Sequence, residues 1–264
     1  MKAHLLLTKS YKKMFPFKLA TTSYIYPDHI LPNVVSLAHF LDEIELVLFE
    51  TEAGADLTGD EQVQALQELS SRNNLSYDVH LPMDIFLGDR GGKKRAEGMD
   101  VIRRLIQQTL CLNPSVYILH LDPGAETDLK GWRERIVESL QVLSRCGIES
   151  KRISVETLGY PFEWVEDIVK RFDFSICLDI GHILTHGQDL RLYFKKYLPE
   201  TSMVHLHGFQ NGIDHQGIDH LPEETLALIL SHLRNYQGIV SIEVFSIDDL
   251  KRSLLTLEEA WKKG

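Results

Sequence analysis

The sequence predicts a single (β/α)8 barrel, and three observations lead there. The chain has 264 residues, and about 250 is typical of one such barrel. From Lys18 onward, short β-branched or apolar runs alternate with longer amphipathic stretches, the pattern of repeated βα units and a parallel sheet. Polar residues recur at the ends of the apolar runs, the place where a barrel gathers its chemistry. A doubly wound open sheet would show the same alternation, so the polar residues decide between the two.

The strand expectations, in order, are Lys18-Thr22, Ile44-Phe49, Ser76-His80, Val116-Leu121, Ile153-Thr157, Ser175-Asp179, Met203-His207 and Val240-Val244. Helical patterns separate them. Asp60 to Asn73 is preceded by Thr58, which stands in capping-box spacing with Glu61. Lys130 to Arg145 carries Trp132, Ile136, Leu140 and Leu143 at helical intervals. Pro32 interrupts the segment after the first strand, so that helix should begin near Leu31 or later. No low-complexity or linker-like stretch divides the chain, which reads as one domain over residues 1-264 with 1-16 as an extension ahead of the barrel.

Composition sets limits on function. A chain that is 44% hydrophobic and 25% charged can bury a core without disulfides or a structural metal. The net charge of -10, from 38 acidic and 28 basic residues, argues against a broad footprint for nucleic acid or for an anionic membrane. Cys111, Cys146 and Cys177 are odd in number, far apart and set in apolar surroundings, which reads as buried thiols in a reducing compartment. The opening residues lack a signal-like apolar run, and no stretch approaches the roughly 18 apolar residues of a membrane span. The expectation is a soluble cytoplasmic protein; the oligomeric state stays open.

Six of the expected strands end in a His, Asp or Glu inside or just after an apolar run: His80, His120, Glu156, Asp179, His205 and Glu243. Any one of them has an even chance of being a satisfied polar residue, but six at equivalent positions is a pattern. Strand ends of a barrel converge on one mouth, so ligands distant in sequence become neighbours there. Buried carboxylates facing one another are driven to protonate unless a cation lies between them. Imidazoles interleaved with carboxylates suit zinc, the default, or manganese or iron(II), whereas calcium and magnesium prefer oxygen. In CLDIGHIL, Asp179 and His182 are three apart as the strand ends; in VHLHGFQNGIDHQGIDH, His205, His207, His215 and His220 crowd sixteen positions with Asp214 and Asp219 interleaved. His4, His29, His39 and His232 read as surface residues, and His186 and His220 as equally suited to a bland role or a place near the site. Met83 and Phe86 after His80 read as loop packing or pocket walls.

These residues resemble the xylose-isomerase-like TIM barrels, and within them the branch of the endonuclease-IV-type AP endonucleases. The resemblance rests on VHLPMDIFLG, ILHLDPG, ISVETLG, CLDIGH, VHLHG and SIEVF, and spans nearly the whole chain. It implies a cluster of two or three divalent ions, with Glu156 bridging one held by His80 and His120 and another held by Asp179, His205 and Glu243. A third would take His182 and His215, although the family separates its last Asp and His by one residue where Asp214 and His215 are adjacent. Near the amino end, FPFKLATTSYIYPDHILPNV and DEIELVLFE are similar to the cobamide-remodelling phosphodiesterases called CbiR.

That similarity implies hydrolysis of the phosphodiester in the nucleotide loop of a corrinoid, with Glu156 and Glu243 as catalytic carboxylates and Tyr24, Arg90 and His207 as substrate contacts. Three other readings stay open. A sugar isomerase or epimerase needs only Glu156, Asp179, His205 and Glu243 around one ion. A DNA-repair enzyme needs basic loops, for which Arg90 to Arg95 is the one concentrated run, better read as a solvated helix start. A corrinoid- or metal-binding carrier needs fewer converging carboxylates than this chain presents.

Overall fold

Alternation along the strands places one set of side chains inside a closed sheet and the other against the helices. The computed structural model describes residues 7–48 and 59–263. Its elements run β1 (Lys18–Thr22), α1 (Ile30–Leu37), β2 (Glu43–Val47), α2 (Asp60–Asn73), β3 (Ser76–His80), α3 (Gly92–Thr109), β4 (Tyr117–Leu119), α4 (Leu129–Leu143), β5 (Ile153–Glu156) and α5 (Glu166–Arg171). They continue with β6 (Ser175–Asp179), α6 (Ile180–Thr185), α7 (Leu190–Tyr197), β7 (Thr201–Leu206), β8 (Gly208–Gln210), β9 (Ile213–Gln216), α8 (Glu223–Leu233), β10 (Ile239–Ile242) and α9 (Ile247–Lys263). The barrel closes in the order β1-β10-β7-β6-β5-β4-β3-β2, with β1 parallel to both β10 and β2. The open-sheet alternative is thereby excluded. Strands β8 and β9 form a separate antiparallel hairpin after β7, an element that sequence alternation alone did not announce.

Outward side chains such as Leu19, Ile44, Tyr77, Val155, Leu178 and Val240 join the helices in the main apolar core. Inward ones form a second, smaller core of Ala20, Val116, Ile118, Cys177, Met203 and Ile239. Below that plug the interior is polar, and several of its groups bond one another. Lys18 Nζ donates to Glu43 Oε2 (2.8 Å), Ser76 Oγ (2.9 Å) and Ser115 Oγ (3.2 Å), and Ser202 Oγ bonds Ser154 Oγ (3.0 Å) and Ser175 Oγ (2.8 Å).

The strand expectations hold to within two residues at most ends. The second strand begins at Glu43 and ends at Val47; Phe49, its expected end, lies outside the described residues. The N-cap of α2 is Gly59, with no side-chain cap; the expected capping box rests on Thr58, which lies outside the described residues. Helix α1 starts at Ile30, a residue earlier than expected, because Pro32 falls in its first turn, where the missing N–H costs nothing. The thiols are not all buried, since Cys111 is exposed and Cys146 half-buried while Cys177 is enclosed. A free thiol in an apolar sequence neighbourhood can still face solvent when a helix end turns outward, as Cys111 does just after α3.

His29 and His39 are exposed, and His4 lies outside the described residues. His232 departs from its expected surface place: it is half-buried, its ring stacked on Phe194 at 4.4 Å. Ahead of β1, Phe15 stacks on Phe17 (5.1 Å) and meets Trp261 of α9 edge-on (5.2 Å), so this part of the extension is packed against the barrel. No helix among the described residues is long and apolar enough to cross a membrane.

The outer core should carry stability independently of the mouth. Ile136 of α4 is fully buried, so Ile136→Ala is expected to lower unfolding free energy by about 2–5 kcal/mol. Urea denaturation checks this, and the metal content of the folded variant should match that of the parent.

Candidate metal centre

Six strand ends deliver six donors to one place. His80, Glu156, Asp179 and His205 lie in β3, β5, β6 and β7, while His120 and Glu243 follow β4 and β10 by one residue. All but His120 are essentially enclosed, and His120 is partly buried. Glu156 is the hub: its Oε2 lies 2.9 Å from His120 Nε2, 3.3 Å from His80 Nε2 and 3.7 Å from His205 Nδ1, and its Oε1 is 3.5 Å from His182 Nδ1. Glu243 Oε2 stands 3.0 Å from His205 Nδ1 and 3.5 Å from His215 Nε2. The six residues read from the sequence therefore meet.

Local structure explains the aim of several donors. Asp179 ends β6 and is also the N-cap of α6, where its Oδ1 accepts the His182 N–H at 2.6 Å. Its Oδ2 is left facing the site, 3.5 Å from His182 Nδ1 and 3.7 Å from His205 Nδ1. His80 Nδ1 lies 2.9 Å from the carbonyl oxygen of Leu81; an oxygen there can only accept, so Nδ1 carries the proton and Nε2 presents its lone pair to the mouth. Hairpin β8–β9 brings Asp214 and His215 back over the barrel, with His215 Nδ1 3.0 Å from Asp214 Oδ1.

The donors fit cations by a test internal to the structure. Asp179 Oδ2, His182 Nδ1, both ring nitrogens of His205, His207 Nε2 and Glu243 Oε2 are buried and have no aligned hydrogen-bond partner. Each such atom left unmatched costs about 1–3 kcal/mol, and buried polar groups are otherwise nearly always satisfied. Their donors fall into sets whose ligand atoms lie within 4.8 Å of one another, among them His80/His120/Glu156, Glu156/Asp179/His182, Glu45/His205/Glu243 and His182/His207/His215. By size alone a groove of about 680 Å³ between α8 and α9 would draw attention, but it is lined by residues such as Leu226, Leu230 and Arg234 and holds no histidine.

Without an ion, protons do the work of cations. Burial works against the charge on Glu156, yet His120 and His205 outweigh it and hold its carboxyl well below the usual range; Glu243 is held down likewise by His205 and His215. Burial also opposes the charged form of His182, but Asp179 and Glu156 push it up to about 10. His215 rises to about 9, with Glu243 and Asp214 overcoming burial.

Some expectations need correction. His207, expected as a substrate contact, is fully enclosed, with Nε2 3.3 Å from Asp179 Oδ1 and its ring stacked on His215 at 4.2 Å. Arg90 lies in the loop after β3, its guanidinium paired with Glu126 at 2.8 and 2.5 Å, so its charge is engaged by the protein itself. The run around it starts α3 at Gly92, and Lys93 is almost wholly exposed, the solvated helix start expected. Tyr24 is 44% exposed in the loop after β1, as a mouth residue should be. His186 is exposed and His220 half-buried, and neither belongs to the donor sets given above.

The sequence reading missed Glu45. It is wholly buried on β2, with Oε1 3.5 Å from His205 Nε2 and Oε2 accepting from Ser241 Oγ at 2.7 Å. Asp78 on β3 is equally buried and unpartnered, and burial with Glu45 nearby keeps its carboxyl protonated far above the usual range. A signal existed, because Glu43 and Glu45 alternate within EIELV, the period of one strand face.

Comparison with known proteins agrees with this architecture. Residues 41–264 match the model of the family described as xylose isomerase-like TIM barrel. No curated protein matches the chain. Similar solved structures include a D-tagatose 3-epimerase-like protein (20% identity, TM-score 0.77, covering 94% of this chain and 98% of that one). Others are endonuclease IV from Thermus thermophilus (15%, 0.71, 94% and 100%) and IolI protein with a bound zinc atom (16%, 0.69, 94% and 96%).

The titration directions set a pH dependence. His182 and His215 have folded values of about 10 and about 9, above the ordinary 6.5, so their ion pairs stabilise the metal-free chain fully below pH 6.5. That contribution is lost as pH rises through 9 and 10. Ions must displace the same protons, so zinc affinity should climb over this window. Urea midpoints of chelator-treated protein and zinc competition titrations between pH 6.5 and 10 check both slopes; a pH-independent zinc affinity would contradict the assignment.

Proposed function

Because the chain belongs to the xylose isomerase-like TIM barrel family and presents more donors than one ion can use, we propose that it is a metal-dependent phosphodiesterase. Its proposed substrate is a small, bulky phosphodiester, foremost the nucleotide loop of a cobamide. The observation that carries this reading is the surplus at the mouth. Glu156, Asp179, His205 and Glu243 would suffice for a single ion, yet His80 and His120 also converge on Glu156, His182 lies against its other oxygen, and His215 lies against Glu243.

Two or three divalent ions, zinc by default, would be held by these residues. When bound, they lower the pKa of water and offset charge on phosphate oxygens during in-line attack. The chain's own part is to hold the donors in place and to accept a proton. Glu243 Oε2, buried and without an aligned partner, and Glu156 are the carboxylates placed to take it. The rim supports a substrate with a large apolar face. Tyr24, Met83 and Phe245, on loops that follow β1, β3 and β10, and Ile213, which begins β9, are exposed apolar side chains around the opening.

An epimerase is the second reading, favoured by the likeness to the D-tagatose 3-epimerase-like structure. One ion per chain would favour it, and two or three the phosphodiesterase. Action on DNA has less support, since the basic run begins a helix and Arg90 is ion-paired.

Glu156→Ala is expected to lose bound metal and turnover of an adenosylated cobamide together, each by about a hundredfold or more. Elemental analysis and separation of the two cleavage fragments, with and without chelator, measure this. Full turnover by a metal-free variant would reject the mechanism, and an unchanged cobamide returned by the metal-loaded parent would reject the substrate.

A further inference from the structure

We infer that His207 completes, with His182 and His215, a three-imidazole position for one divalent ion at the barrel mouth. The inference rests on the metal-centre reading but not on the substrate. His207 follows β7 by one residue and is wholly buried, and its Nε2 has no aligned hydrogen-bond partner. A buried ring nitrogen in that condition asks for a cation or a hydrogen-bond partner, and Asp179 Oδ1, 3.3 Å away, is not aligned with it.

The ring is oriented as a ligand would be. Its Nδ1 lies 3.1 Å from the carbonyl oxygen of Gly208, repeating the contact of His80 Nδ1 with the Leu81 oxygen at 2.9 Å. In both, a proton on Nδ1 leaves the Nε2 lone pair free for a metal. The same Nδ1 is 3.0 Å from the backbone N–H of His215, a contact open only to the other tautomer, so ion binding selects the carbonyl contact. One nitrogen from each of His182, His207 and His215 lies within 4.8 Å of the other two. The ring of His182 stands nearly perpendicular to both partners, 5.6 Å from each centroid.

A second feature guards this placement. A Cβ built on Gly181 would come within 2.0–2.4 Å of three ring atoms of His207. Glycine in the CLDIGH motif is therefore what lets the imidazole reach the mouth. Asp214 is the nearby carboxylate, but it is 46% exposed, with Oδ1 3.0 Å from His215 Nδ1 and Oδ2 3.9 Å from His182 Nε2. His207 supplies the enclosed ligand that Asp214 does not.

Three neutral imidazoles differ in chemistry from the sets built on Glu156. A nitrogen-rich position prefers zinc or cobalt(II) over manganese, so the mouth should discriminate between ions. The test is metal counting on the zinc-loaded full chain by elemental analysis, with cobalt(II) absorption as a second readout. His207→Ala and the bulkier His207→Gln are expected to lose one zinc equivalent per chain and to change the cobalt spectrum, the remaining ions staying bound. Gly181→Ala should lower affinity for that same equivalent at least tenfold without removing any donor. Variants that keep every equivalent of the parent at parental affinity overturn the proposal. Loss of one equivalent in a chain that cleaves no cobamide leaves the proposal standing and removes only the substrate reading, while a parent with a single ion that His207→Ala retains removes both.

Discussion

Carboxylates that face one another in a buried space are the constraint on which the rest of the mouth depends. Glu156, Asp179 and Glu243 are 0–5% exposed and point at a common space. Ionised, they repel; neutral, they lose their capacity as ligands. Histidines between them resolve the conflict, by taking protons when no ion is present and by sharing an ion when one is. The raised values of His182 and His215 and the depressed ones of Glu156 and Glu243 are two sides of that single exchange.

The barrel interior changes character along its axis. At the closed end Lys18 bonds Glu43, Ser76 and Ser115. An apolar plug of Ala20, Ile118, Cys177, Met203 and their neighbours follows. At the open end Asp179 Oδ2, both ring nitrogens of His205, His207 Nε2 and Glu243 Oε2 are left without aligned partners. Between the two regimes Glu45 and Asp78 are enclosed carboxyls with raised values, burial being the larger cause and neighbouring acids adding to it.

Much of this was legible in the amino-acid order. Lys18–Thr22, Ser76–His80 and Ser175–Asp179 were readable as strands to the residue because β-branched and apolar runs end there in polar residues. His80, His120, Glu156, Asp179, His205 and Glu243 were readable because each interrupts such a run at its end. Glu45 was not, since it lies inside a strand, where a charged residue reads as solvent-facing unless the closed interior is already known. His207 and Arg90 were misplaced for a related reason. Position after a strand end says that a residue is near the mouth, but burial and partners decide whether it joins the donors, as His207 does, or pairs on the rim, as Arg90 does with Glu126.

Hairpin β8–β9 is the part that chain order could least anticipate, and it determines how the site is finished. A turn at Asn211 and Gly212, both at positive φ, reverses the chain, and His215 itself adopts φ 51. Positive φ is uncommon for a residue with a side chain and persists only where the surroundings enforce it. Here they do, through the pairing of β8 with β9 and through the stacking of the His215 and His207 rings at 4.2 Å. The backbone carries an imidazole over the mouth to within 3.5 Å of Glu243, which follows β10, the strand paired with β7. A flexible loop would meet the same donors only part of the time. A hairpin held by backbone pairing and by His207 fixes His215 where the barrel strands alone provide no ligand.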